Sequence, residues 1–170
     1  MALQVPSTTS VATAVPVNSS SSRDTDNKDE YGNYSVVVRT ATSIHAGTNA
    51  NIFIQLNDIE GTKTDKIRLK CSISHRKKFQ RGHADLFMLV DQNLLVQLKT
   101  VEVWCEGRRR RDCWLCHSID VLDHQSNVMY HFPLNKWLGE SSEQVNSNTN
   151  YALLNVASPT FKVFSKEDFV

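Results

Sequence analysis

From Tyr34 onward the chain advances in short apolar runs of four to ten residues, each closed by a cluster of Gly, Asn, Asp or Ser. Val, Ile and aromatic residues dominate the runs, and such side chains fit a pleated, half-buried surface. This punctuation predicts strands at 34–40, 51–56, 66–69, 84–90, 98–106, 113–122, 128–133 and 151–155. Alternation is clearest at 98–106, where Val101, Val103 and Cys105 share one face and Glu102, Trp104 and Glu106 the other. In the next run, Trp114 and Cys116 have one parity and Ile119 and Val121 the other, so a bulge is expected near His117 and Ser118. No sustained helical period competes. Eight short strands with turn signals at this spacing predict an all-β, antiparallel sandwich.

The 170 residues suffice for one such domain plus some unpacked chain. Residues 1–30 hold ten Ser or Thr and no aromatic side chain, too little apolar surface to offset the entropy of ordering them. The expected organisation is a disordered Ser/Thr-rich tail at 1–32, a sandwich at 33–156 and a C-terminal tail at 157–170. In that last segment Phe161, Val163 and Phe164 are candidates for an added edge strand or a docking segment. No apolar run reaches the roughly 18 residues of a membrane-spanning helix. The first 22 residues carry no Lys or Arg and their apolar stretch is broken by Thr13 and Pro16, unlike a secretory signal. The expectation is a cytoplasmic protein touching membranes peripherally at most, with its four cysteines reduced.

Nineteen Lys and Arg against 18 Asp and Glu leave a net charge of +1, which excludes a nucleic-acid coat and makes any electrostatic function local. No aromatic stacking platform argues for RNA, so no nucleic-acid partner is expected. Two basic clusters stand out. Arg76, Lys77, Lys78 and Arg81 occur without an acid between His75 and His83, and Arg108, Arg109, Arg110 and Arg111 are consecutive, closed by Asp112. Each borders a predicted strand and so belongs to a loop. Loops at one end of a sandwich pool their charge, and each Lys or Arg near an anionic membrane contributes about 1 kcal/mol. Anionic lipid head groups, or an acidic protein partner, are the expected ligands, with Phe79 a candidate to insert into the interface. The plainer alternative makes Phe79 a core anchor and the cations a solvated rim.

Catalytic constellations are missing from the linear sequence: there is no G-x-S-x-G, H-E-x-x-H, Walker A or G-x-G-x-x-G. No catalytic residue and no cofactor is expected. Cys113-Trp114-Leu115-Cys116-His117 matches the C-x-x-C-H pattern of haem attachment and a C-x-x-C redox or zinc half-site. Residues three apart on a strand face opposite ways, however, and no second C-x-x-C exists to complete a zinc site. Buried small hydrophobes are the competing reading of these cysteines.

Taken in order, these residues resemble a known family. Tyr34-Ser35-Val36-Val37-Val38, Ala46-Gly47-Thr48 with Ala50-Asn51-Ile52, and Phe79-x-Arg81-Gly82-x-x-Asp85-x-Phe87 are similar to the first half of the PLAT domain, also called lipoxygenase homology 2. Leu98, Val101-Glu102-Val103-Trp104, Trp114, Ile119-x-Val121, Tyr130-x-Phe132-Pro133 and Trp137-Leu138 resemble its second half. The resemblance implies an eight-stranded, two-sheet sandwich that binds lipid surfaces or partner proteins without catalysing. It also implies an inter-sheet filling of Trp114, Phe87, Phe132 and Trp137, a sharp turn with positive φ at Gly47, and bracing roles for Gly82 and Asp85. Some members bind calcium through the Ala-Gly-Thr loop, which points here to Gly47, Thr48 and Asp112. His45 stands where an acid is usual in those members, and a hard dication wants six to eight oxygen ligands, so calcium is doubtful. Two rivals to lipid docking are a pure protein adaptor, using the sheet face around Trp104 or the C-terminal segment, and a metal or redox protein using Cys113, Cys116 and His117.

Overall fold

The computed structural model describes residues 31–107, 112–139 and 150–157, with 161–162 as backbone. The tail expected at 1–32 lies, up to residue 30, outside the described residues, as do Arg108, Arg109, Arg110 and Arg111 and most of the C-terminal segment. Tyr31 and Gly32, expected in the tail, instead begin β1 (Tyr31–Thr40). Their pairing with Asn93 and Gln92 supplies the partners that make this start ordered.

The remaining strands are β2 (Asn51–Asp58), β3 (Ile67–Arg68), β4 (Ala84–Asn93), β5 (Leu98–Glu106), β6 (Trp114–Asp123), β7 (Val128–Leu138), β8 (Tyr151–Asn155) and β9 (Phe161–Lys162). They form two antiparallel sheets, ordered β4-β1-β6-β7-β9 and β3-β2-β5-β8. Eight strands fall on the expected runs, and β9 adds a short edge beside β7 through Met129 and Phe161. Alternation sets the sandwich. Val36 and Val38 of β1, Ile119 and Val121 of β6 and Phe132 of β7 meet Ile52 and Ile54 of β2, Val101 and Val103 of β5 and Leu154 of β8 in one apolar core. The outward positions of β5 stay polar or half-buried, as the period of two requires.

The parity change in β6 is resolved by a bulge. Arg39 pairs Ser118 but Thr40 pairs Cys116, so His117 has no opposite number in β1. The β7 ladder shifts at the same place, stepping from Ser118 opposite Pro133 to Cys116 opposite Lys136. Trp114 and Cys116 thereby stay inside with Ile119 and Val121, and His117 is turned out to solvent.

Trp114, Phe87 and Phe132 fill the core as expected, but Trp137 does not. It is 41% exposed. The buried residues Tyr130, Phe132 and Leu138 all have even parity on β7, and Trp137 has the odd one.

Candidate docking surface

β1, β5 and β7 end, and β2, β4, β6 and β8 begin, at the same end of the sandwich, and three of the connections between these ends, 41–50, 69–83 and 107–113, meet through described residues. Backbone hydrogen bonds lace them together. Thr48 N donates to Phe79 O at 2.9 Å, Gly82 N to Ala41 O at 3.0 Å and Leu115 N to Ala46 O at 3.0 Å. The Thr48 hydroxyl accepts from Ala50 N at 3.0 Å and donates to Asp112 O at 3.0 Å, joining the first and third connections. The Ala-Gly-Thr loop is thus the keystone between the 69–83 connection and Asp112.

Gly47 serves this junction by its lack of a side chain, not by positive φ. Positive φ occurs nearby at Gly82 and, without a glycine, at His45 and Phe79, but not at Gly47. A Cβ on Gly47 would lie 3.0 Å from Arg81 N and 3.1 Å from Phe79 O, both backbone atoms. Gly47 is therefore required for close approach of two backbones and not for a turn.

Phe79 is also corrected. Its side chain is 1% exposed and inserts between the sheets, its ring 5.6 Å from Phe87 and 5.5 Å from Trp114. It has no ring to offer a membrane. Its φ of +57°, costly for an aromatic residue, is held by burial and by Phe79 N donating to Asp85 Oδ2 at 2.7 Å. The other Asp85 oxygen accepts from Ser72 Oγ at 2.8 Å, so this fully buried carboxylate braces the loop from both directions. Phe79 is the anchor that lets its neighbours project: Arg76, Lys77 and Arg81 are exposed and Lys78 is half-buried.

Two clefts open around the keystone. One of about 250 Å³ is lined by His45, Gly47, Thr48, Asn49, Gln80, Arg81 and Asp112. Its neighbour, of about 160 Å³, shares Thr48 and Asn49 and adds Arg76, Lys77 and Lys78. Among the described residues none of these four cations has a carboxylate within ion-pair distance, in contrast to Arg39 with Asp120, Lys63 with Glu102 and Lys66 with Glu106. Gly107 and Asp112, which flank the four consecutive arginines, belong to this end too, for a Cβ on Gly107 would collide with that of Asp112. Asn49 and Gln80, which carry no charge and follow no motif, were not anticipated as lining residues.

The donor set does not fit calcium. Asp112 is the one carboxylate among the residues lining the larger cleft, Arg81 and His45 stand beside it, and the Thr48 hydroxyl is committed to the loop.

Among the described residues the cysteines form no metal-ligand cluster with His117. Cys116 lies in the core, Cys113 is half-buried and His117 faces solvent. Burial pushes the Cys105 thiol up to about 12 and raises that of Cys116 as well, so both stay protonated, opposite to what a metal ligand or nucleophile needs. Trp104, proposed for an adaptor face, is half-buried under Lys66, whose Nζ lies 4.5 Å from its ring centre.

A family profile described as the PLAT/LH2 domain matches residues 34–153. Lipoxygenase homology domain-containing protein 1 of Homo sapiens is 29% identical over 132 residues, which is 78% of this chain and 6% of that protein. Polycystin family receptor for egg jelly of Mus musculus is 30% identical over 107 residues, 62% of this chain and 5% of that protein. The chain thus spans only a small fraction of these relatives. In solved structures the fold recurs in coral 8R-lipoxygenase, whose structure is described as showing calcium activation through a C2-like domain. That likeness has a TM-score of 0.60 at 20% identity and covers 73% of this chain and 17% of the lipoxygenase. Because that profile spans well over half of its residues, the chain belongs to the PLAT/LH2 domain family.

Proposed function

We propose that this domain is a non-catalytic docking module that brings its basic loop end against the anionic head groups of a membrane. Family membership supports an interaction module of the C2-like kind. The observation that carries the finer reading is the pair of adjoining clefts bearing Arg76, Lys77, Lys78 and Arg81, none of which has an ion-pair partner among the described residues. Cations on a rigid base that have no ion-pair partner among the described residues keep their charge available to an external anion. A head-group phosphate accepts from Lys as a point charge and from Arg through two parallel N–H donors. Four cations at about 1 kcal/mol each give binding that is reversible and weakens as salt rises.

The direct cationic contact takes the place that calcium has in the coral enzyme's described activation, so binding here needs no added calcium. Co-sedimentation with vesicles of phosphatidylcholine alone and of phosphatidylcholine with phosphatidylserine tests this. The expected result is binding to the anionic vesicles alone, reduced by raised salt and unchanged by calcium or chelator. Equal binding to both vesicle types, or to neither, contradicts it. An acidic protein partner would leave vesicle binding absent and appear instead as salt-sensitive capture of that partner.

A further inference from the structure

Beneath the basic loop, the chain doubles back so that His75, near its start, meets His83, at its end, over the first turn of β4. The two imidazoles stack with ring centres 4.0 Å apart and planes 18° from parallel. Asp85 lies under them, its Oδ1 3.3 Å from His75 Nδ1. One ligand atom from each of His75, His83 and Asp85 falls within 4.8 Å of the other two, the only such group among the described residues.

Two features separate this cluster from an ordinary hydrogen-bonded histidine pair. His75 Nδ1 and His83 Nδ1 are both buried from solvent and neither makes a hydrogen bond, even though Asp85 is within reach of the first. A buried polar atom without a hydrogen-bond partner is disfavoured, and here there are two side by side. The carboxylate, moreover, is fixed in advance, since Ser72 Oγ and Phe79 N hold its two oxygens. Ligand carboxylates in metal sites are oriented by hydrogen bonds of this kind.

We propose that His75, His83 and Asp85 form a three-ligand site for a divalent transition-metal ion of the zinc class, with water in the fourth position. Two imidazoles and one carboxylate suit a borderline cation with three protein ligands and an open position, and do not suit calcium. Two ligands at a tetrahedral angle on a zinc-sized ion lie roughly 3.3 Å apart. The His75 and Asp85 atoms already have that spacing, and the widest gap in the group closes by about 1.5 Å on binding. The stacked rings must also turn until their nitrogens converge on one point, and His75 has room to do so, being in a loop with 36% of its side chain exposed. The bound ion would tie the middle of the 69–83 connection to β4 and hold the basic loop in one conformation. The site is separate from the clefts and does not depend on their ligand.

Titration of the tag-free chain with Co²⁺, followed by visible absorption, tests the site. One equivalent is expected, with d–d bands of a nitrogen and oxygen environment that zinc displaces. His75→Gln and His83→Gln are each expected to weaken uptake by at least about tenfold while the far-ultraviolet spectrum stays that of the parent. The double variant Cys71→Ser, Cys113→Ser is expected to bind as the parent does. Failure of the parent to take up an equivalent, unaltered uptake in both histidine variants, or loss of the bands in the cysteine variant would each overturn the proposal. Because both histidines lie outside the strands, at least one folded variant is expected for the comparison.

Discussion

The two ends of this sandwich handle charge in opposite ways. At the end away from the keystone, acids are consumed by their own turns. Asp58 accepts from Glu60 N at 2.9 Å, Thr62 N at 2.8 Å and Val96 N at 3.2 Å, and Asp123 accepts from Gln125 N at 2.9 Å and Ser126 Oγ at 2.6 Å. Their charge is spent on shaping backbone. At the keystone end the shaping is done by Phe79, Thr48 and Asp85, all buried, and the cations are left over. A charge with internal partners stabilises a fold, whereas one held out on a rigid support is available to a ligand. Which of these a residue does depends on its partners more than on its type.

The contrast is broken most severely by removing the anchor. Phe79→Ala is expected to cost about 3–5 kcal/mol through a cavity between Phe87 and Trp114, read as a lowered urea midpoint. If Phe79 were instead a membrane-facing ring, stability would barely change. Replacing Arg76, Lys77, Lys78 and Arg81 together by Gln is expected to reduce anionic-vesicle binding at least about a hundredfold with little change in that midpoint. Vesicle binding equal to the parent would show that the keystone end is not the contact.

Asp58 sharpens the other side. Burial alone would raise its carboxyl, but the surrounding backbone donors, Val96, Thr62 and Glu60 among them, outweigh that and hold it below the ordinary carboxylate value. A depressed folded pKa means stability that is present above the unfolded value and lost as pH falls through the folded one. Asp58→Ala is therefore expected to cost about 1–3 kcal/mol at pH 7, and the difference should shrink as unfolding is measured at pH 4 and then pH 3. A gap that stays constant across that range would refute the assignment. The smallest effect is expected at Lys63, whose ion pair with Glu102 is 3.6 Å long and half-exposed. Lys63→Gln should alter stability by less than about 1 kcal/mol and vesicle binding not measurably.

Strand content was legible because burial on a pleated sheet imposes a period of two, and the parity reversal between Trp114 and Ile119 carried even the bulge at His117. The same rule places Trp137 outside, since Tyr130 and Phe132 set the inward parity; the inward placement came from the family resemblance. Loops have no period. Nothing local in Arg76-Lys77-Lys78-Phe79 tells an inserting ring from an anchoring one, because the answer depends on Phe87 and Trp114 of distant strands. Gly47 is similar, its constraint being set by Arg81 and Phe79 rather than by its own turn. His75 and His83 are eight positions apart and match no metal-ligand spacing, and only the return of the loop onto β4 brings them together.

Hydrogen–deuterium exchange of the chain with and without phosphatidylserine-containing vesicles tests the asymmetry of the two ends most directly. The predicted result is slowed exchange in 41–50 and 70–83, relieved by high salt, with 58–66 and 123–128 unchanged. Protection at the acid-shaped turns, or none at the keystone loops while the chain is vesicle-bound, would contradict the account.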